Sequence, residues 1–368
     1  MSAFSRNPLG VFRIEGMSLD YSDFVPRLYN FCHSAGLARR KLSLGTAFCA
    51  DQDQGRAALL LTKHFGAYPI EIGNADATLD FRDANNWMDR SNDIVLLQAG
   101  HVLNLSTTMF HAGSSGLRTE PGEPTTGCGA LSRVLTWYLR EYQDALSHVR
   151  FHMEHGRRLV EIDTVLLERN GRDGLCLSLD RLVEKAPSGS FQTSFESDLK
   201  VTFHANKALP AKLFEGQNTQ ACKVLDPEWF SFNSSESKVE MALKYAEANL
   251  RDQMPYIVSA QDPLFTAAEI NIQKEFDANT QRIRVSSAAK GKRLVYLAGI
   301  NVEVPYRSGK YLSETEFLPW QVYIQDDEGK SEVLNQVTLM CGLREASPVN
   351  PDTINLDKML QQAESDDQ

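Results

Sequence analysis

The stretch "DIVLLQAGHVLNL", residues 93–105, decides the fold. Ile94 to Leu97 form an unbroken apolar run, the pattern of a strand covered on both faces. The run reaches Gly100, meets His101 and continues apolar through Val102 and Leu103. A histidine within a buried strand is either a satisfied core side chain or a ligand held by rigid backbone. The ligand reading needs partners elsewhere, and it takes Gly100 as the point where backbone can approach closely.

Outward from this strand, helix and strand patterns alternate. "SLDYSDFVPRLYNFCHSAG" opens on Ser/Asp cap candidates, continues with helical spacing and stops at Gly36. Residues 42–48 read as a short strand ending in the polar loop "ADQDQG", and "RAALLLTKHFG" as a helix closed by Gly66. "ALSRVLTWYLREYQDALSHVRFHMEH" reads as one long amphipathic helix. The alternation predicts an α/β fold, a mostly parallel central sheet flanked by helices. From about 155 to 240 the pattern changes to Gly/Ser/Asn-rich turns between short strand-like runs, "LVEIDTVLLE" and "DLKVTFHANK", which predicts a β-rich insertion in the middle. Helices resume at "ESKVEMALKYAEANLRDQM" and "PLFTAAEINIQKEFDANT", followed by the strands "KRLVYLAGINVEVP" and "WQVYIQDDEG". The expected organisation is a single α/β domain over residues 1–350, interrupted by that insertion, and a polar tail that frays over 351–368.

The 368 residues, 42% hydrophobic and 23% charged, can bury a sizeable core and are too apolar for a disordered chain. A net charge of −10 without a basic stripe argues against nucleic acid as the main partner. No stretch approaches the roughly 18 apolar residues of a membrane span. The first residues, "MSAFSRNPLGVFRIEG", have neither the charge nor the apolar block of a secretion signal, so a cytoplasmic location is expected. There the six cysteines stay reduced, available as ligands or core residues.

Two cysteines suit His101 as partners. Cys49 sits at the end of its strand in "FCADQDQ", and Cys128 lies in "TTGCGAL", a Gly-flanked turn entering the long helix. In α/β sheets ligands collect where strands end and helices begin. Two thiolates and one imidazole suit Zn2+ and leave a fourth position open. The spacings are too long for a zinc-finger knuckle and suit a site assembled by the fold. Asp51, two residues after Cys49, is close enough in sequence to accept a hydrogen bond from a metal-bound water and orient it, with an arginine gripping its carboxylate; taken alone it reads as a helix or turn cap. His148, His152 and His155 fall on one face of the predicted long helix, a second and weaker metal candidate.

These residues resemble a known family. "IVLLQAGHVLNL", then "HAGSSGLRTEPGEPTTGCGAL", with "FCADQ" upstream, is similar to the limiting-CO2-inducible B/C proteins, also called theta-class carbonic anhydrases. "QMPYIVSAQDPLFTAAEINIQKEF", "LVYLAGINVEVP" and "TEFLPWQVYI" are similar to that family's C-terminal part. The resemblance spans about 20–150 and 240–330 and leaves the middle uncovered. It implies a fold like that of the β-type carbonic anhydrases and zinc held by Cys49, His101 and Cys128. It also implies Asp51 as the orienting carboxylate, with Arg118 or Arg56 as its partner. Arg118 stands two residues off the family's position, Gln52 replaces the usual Glu, and Glu123 stands where Gln is usual.

The implied activity is reversible hydration of CO2 to bicarbonate by zinc-bound hydroxide, in at least a homodimer. Phe48 and Phe65 are candidates for an apolar wall against CO2, or simply core. His111 and His64 are candidates to carry the proton away, or simply surface. The competing class is a zinc-binding but inactive regulatory member of the same family. Its three ligands would hold the fold, and Asp51 would close the fourth position.

Overall fold

The structure is a computed structural model that describes residues 5–6, 12–13, 17–37, 42–49, 55–73, 77–103, 129–215, 222–304, 314–358 and 361. It divides into two compact units, Met1–Ser132 with Ala267–Gln368, and Arg133–Thr266. The second unit is wider than the β-rich stretch that composition marks out at about 155–240.

After a short antiparallel ladder of Ser5–Arg6 with Phe12–Arg13, the first unit runs through β1 (Leu19–Asp20) and α1 (Tyr21–Ser34), followed by β2 (Leu42–Phe48), α2 (Gly55–Phe65), β3 (Ile70–Glu71), α3 (Phe81–Arg90) and β4 (Asp93–Leu103). Helix α4 (Gly129–His148) leads into the second unit. There the chain forms β5 (Val149–Glu154), β6 (Arg157–Asp163), α5 (Thr164–Arg169), β7 (Gly174–Leu177), α6 (Leu179–Leu182), β8 (Thr193–Glu196), β9 (Lys200–His204), β10 (Phe230–Asn233), α7 (Lys244–Leu250) and α8 (Met254–Ser259). The return is made by α9 (Pro263–Val285), then β11 (Leu294–Val304), β12 (Glu314–Gln325), β13 (Ser331–Leu334) and α10 (Gln336–Glu345).

The central sheet has the order β13-β12-β11-β4-β2-β3, with β1 beside β12. β11, β4, β2 and β3 are parallel, and β12, β13 and β1 complete the sheet in antiparallel fashion. The α/β architecture expected from the alternation is present, with a sheet that is parallel where the site residues stand. One sheet face carries Val95, Leu97, Ala99, Val295 and Leu297 against α1, α2 and α10. On the other face Tyr296 stacks on Phe276 of α9, ring centroids 5.2 Å apart. β4 is thus covered on both sides, which is why its sequence is apolar at consecutive positions rather than alternating.

Between β11 and β12 the register slips at Ala298 and Gly299, leaving Trp320 as the extra residue of a bulge. Gly299 is required there, since a β-carbon on it would lie 2.3 Å from the Phe317 ring.

In the second unit an antiparallel sheet of order β8-β9-β6-β5 and a β10-β7 ladder account for the β-rich composition. Two local readings change. The long helix ends at His148 and becomes β5, whose Val149 and Phe151 are buried in strand alternation. His155 and Gly156, both at positive φ (47° and 77°), then make the two-residue turn into β6. The run "LVEIDTVLLE" likewise turns from strand to helix at Thr164. The C-terminal stretch before and into the polar tail is docked on the first unit: Tyr29 donates to Asp352 at 2.9 Å and Ile354 N–H to the Lys63 carbonyl at 2.9 Å.

Candidate metal centre at the strand ends

β2 and β4 are adjacent and parallel, with Phe48 in register with Ala99. Cys49 follows Phe48 directly, and His101 stands two residues beyond Ala99, so both come at the carboxyl ends of neighbouring strands. Both are fully buried, at 0% exposure. A thiol and an imidazole beside the same strand ends are the borderline-soft donors that zinc prefers.

The first turn of α1 comes to the same end of the sheet. Asp20 caps that helix, accepting from Ser22 N–H at 2.7 Å, and pairs with Glu316 of β12 in register. The next residue, Tyr21, donates its hydroxyl to Asn301 Oδ1 of β11 at 2.7 Å. Asn301 is the register partner of His101. Arg56, in the first turn of α2, reaches back to Asp20, with Nη2 3.0 and 3.1 Å from the two carboxylate oxygens. Burial pushes the Asp20 pKa up. The Ser22 hydroxyl and N–H and the Arg56 guanidinium outweigh that and hold it below the usual carboxylate value. Arg56 Nη1 is buried with no hydrogen-bond partner among the described residues.

Glu71 closes the end of β2, accepting from Thr46 Oγ1 at 2.9 Å, Phe48 N–H at 3.2 Å and Gly73 N–H at 2.8 Å. Desolvation raises its pKa despite those bonds. Sequence reading missed Asp20, Tyr21, Glu71 and Asn301. Each is an ordinary polar residue until the fold brings it to the strand ends.

The remaining expected residues, Asp51, Arg118, Cys128 and His111, lie outside the described residues. Among the described residues no three His, Cys, Asp or Glu side chains are grouped as a metal site, and no two cysteines are bonded to each other. The weaker metal candidate is dissolved by the end of α4, because His148 closes the helix, His152 is in β5 and His155 is in the turn. His148 bonds Asp163 at 2.9 Å instead.

The structure bears on three other readings. Nothing among the described residues lies within 4 Å of a β-carbon built on Gly100. His64 is buried and its imidazole is held down to about 4, by burial first and Lys63 second. It is therefore neutral near pH 7 and a poor proton carrier. Phe48 and Phe65 belong to the apolar core, with Phe65 edge-on to Tyr29 at 5.5 Å.

No helix among the described residues is long and apolar enough to cross a membrane. No protein-family model matches the chain, and no curated protein matches it by sequence. Solved structures do. The crystal structure of PtLCIB4, a homolog of the limiting CO2-inducible protein LCIB, aligns with a TM-score of 0.47 at 12% identity, covering 86% of this chain and 94% of that one. The crystal structure of the limiting CO2-inducible protein LCIB aligns with a TM-score of 0.42 at 10% identity, covering 87% and 95%. Over most of its length the chain is similar to limiting-CO2-inducible proteins of known structure.

Proposed function

We infer that this protein is a zinc-dependent carbonic anhydrase, catalysing reversible hydration of CO2. The observation that carries the reading is that Cys49 and His101 stand at the carboxyl ends of adjacent parallel strands. A thiol and an imidazole, both fully buried, come to adjacent parallel strand ends in a sequence that also resembles the limiting-CO2-inducible family. The donor chemistry fits zinc, with Cys128 as the third ligand. Zinc held there would supply Lewis acidity sufficient to bring the pKa of a water to about 7.

The chain's own groups divide the remaining work. Asp51 accepts a hydrogen bond from the attacking water and orients it. An arginine keeps that carboxylate ionised and turned away from the metal ligands. Arg56 suits the role because its grip on Asp20 uses Nη2 and leaves a buried Nη1 for a second acceptor. Arg118 is the other candidate. Burial of His101 and Cys49 keeps bulk water from the ligands.

The test is stopped-flow CO2 hydration on protein of measured zinc content, with Cys128→Ala as the control. Hydration well above the buffer rate, lost in the variant, is expected. Zinc-loaded protein without hydration would overturn the anhydrase reading and leave a regulatory zinc protein.

A further inference from the structure

Beside His101, one more polar side chain is buried on the same sheet face. β11 runs parallel to β4 and brings Asn301 into register with His101. Register partners on neighbouring parallel strands project to the same face, with backbones about 4.8 Å apart. Both residues are at 0% exposure. The face they share is otherwise apolar, formed by Val95, Leu97 and Ala99 on one strand and Val295 and Leu297 on the other. The polar pair stands at its carboxyl end, where Cys49 also lies.

An amide buried without partners is costly, and this one has a rigid partner. Tyr21, fully buried, donates its hydroxyl to Asn301 Oδ1 at 2.7 Å. Its ring is fixed edge-on to Phe24 and Phe317, at centroid distances of 5.5 and 6.1 Å. With the amide oxygen committed to Tyr21, the rotamer of Asn301 is set from the helix side. A metal-binding imidazole is held by groups outside the coordination sphere, and those groups matter nearly as much as the ligands.

We propose that Asn301, locked by Tyr21, is a positioning residue for the His101 imidazole, holding the ring in the orientation that presents a nitrogen to a metal ion. The proposal rests on the zinc reading above. The alternative is that the Tyr21–Asn301 bond only pins α1 to β11.

Cobalt separates the two. Full-length protein is loaded with Co2+ in the wild type and in Asn301→Leu, Tyr21→Phe and Asn301→Asp. Leu28→Ala, a core variant on the same helix, serves as control. The d–d and thiolate charge-transfer bands are recorded, together with Co2+ affinity by chelator competition and a thermal melt.

Positioning predicts a shifted d–d envelope and affinity weakened about 10- to 100-fold in Asn301→Leu. It also predicts a smaller change of the same kind in Tyr21→Phe and substantial rescue in Asn301→Asp, which keeps an oxygen for the tyrosine. Leu28→Ala should melt earlier with an unchanged spectrum. Should Asn301→Leu fail to fold, Tyr21→Phe still decides. Earlier melting in Asn301→Leu and Tyr21→Phe with wild-type bands and affinity would overturn positioning while leaving the zinc reading intact. Absence of Co2+ binding by the wild type would instead remove the zinc reading, and the proposal with it.

Discussion

A β-carbon added at Gly299 would lie 2.3 Å from Phe317 and 2.6 Å from the Leu318 carbonyl oxygen, while one added at Gly100 meets nothing described within 4 Å. The two glycines stand one residue out of register on neighbouring parallel strands, since Gly100 pairs with Ile300. At Gly299 the obstacle includes backbone of the bulged strand, which cannot rotate away, so the register between β11 and β12 would have to shift. Gly299→Ala is therefore expected to lose about 2 to 3 kcal/mol of stability. Gly100→Ala should stay within about 1 kcal/mol of the wild type, with a gain where the smaller entropy of the unfolded chain dominates. Urea unfolding of both variants checks this. A loss at Gly299 as small as the one expected at Gly100 would mean that the bulge tolerates a side chain and that the slip at Ala298 is not what Gly299 permits.

Helix α2 closes on Gly66, at φ 75° with its N–H on the Thr62 carbonyl at 2.9 Å, and the C-terminal stretch clamps the same end. Asn350 Nδ2 donates to the His64 carbonyl at 3.0 Å and lies 3.3 Å from its ring Nδ1, while Ile354 N–H donates to Lys63. Burying His64 under this clamp favours the neutral ring, and its pKa falls from 6.5 to about 4. Between those values the unfolded chain takes up a proton that the folded one refuses. The stabilisation is therefore complete above about pH 6.5 and fades as pH falls toward 4. Its size is on the order of 2 to 3 kcal/mol. Urea midpoints should drop from pH 7 to pH 5 in the wild type and drop distinctly less in His64→Gln, whereas parallel slopes would refute the assignment. Nothing in "LLTKHFG" distinguishes this buried histidine from a surface one, because its partner is 286 positions away. The Tyr21–Asn301 bond, across 280 positions, was hidden for the same reason. What the sequence did show was β4 and β11, whose apolar runs are long, and β2, a short strand running into a polar loop. It misled at the end of α4, where Val149 and Phe151 continue a helical pattern as plausibly as a strand and only the His155–Gly156 turn breaks it.

On the proposed zinc reading, metal binding and folding are linked across the chain as a whole. The ligands read from the sequence, Cys49, His101 and Cys128, come from segments far apart in the chain, so an unfolded chain cannot hold zinc as the folded one would. Free zinc at 100 times its dissociation constant would then add about 2.7 kcal/mol to stability. For a cooperative unit the size of Met1–Ser132 with Ala267–Gln368, that corresponds to a rise of roughly 5 to 10 °C in Tm. A chelator should reverse the rise, and Cys49→Ala should never show it. The contrast comes from Glu247 in the second unit. This buried carboxylate accepts from Tyr138 at 2.8 Å, Ser237 Oγ at 2.5 Å and Lys238 N–H at 3.1 Å. Glu247→Gln disturbs that network and should lower stability by about 1 to 3 kcal/mol without touching the zinc-dependent rise. Calorimetry with and without zinc reads both effects in one series. A zinc-dependent rise that survives Cys49→Ala would place the ion on other ligands. A rise lost in Glu247→Gln would show that zinc acts on the whole chain rather than on the strand ends.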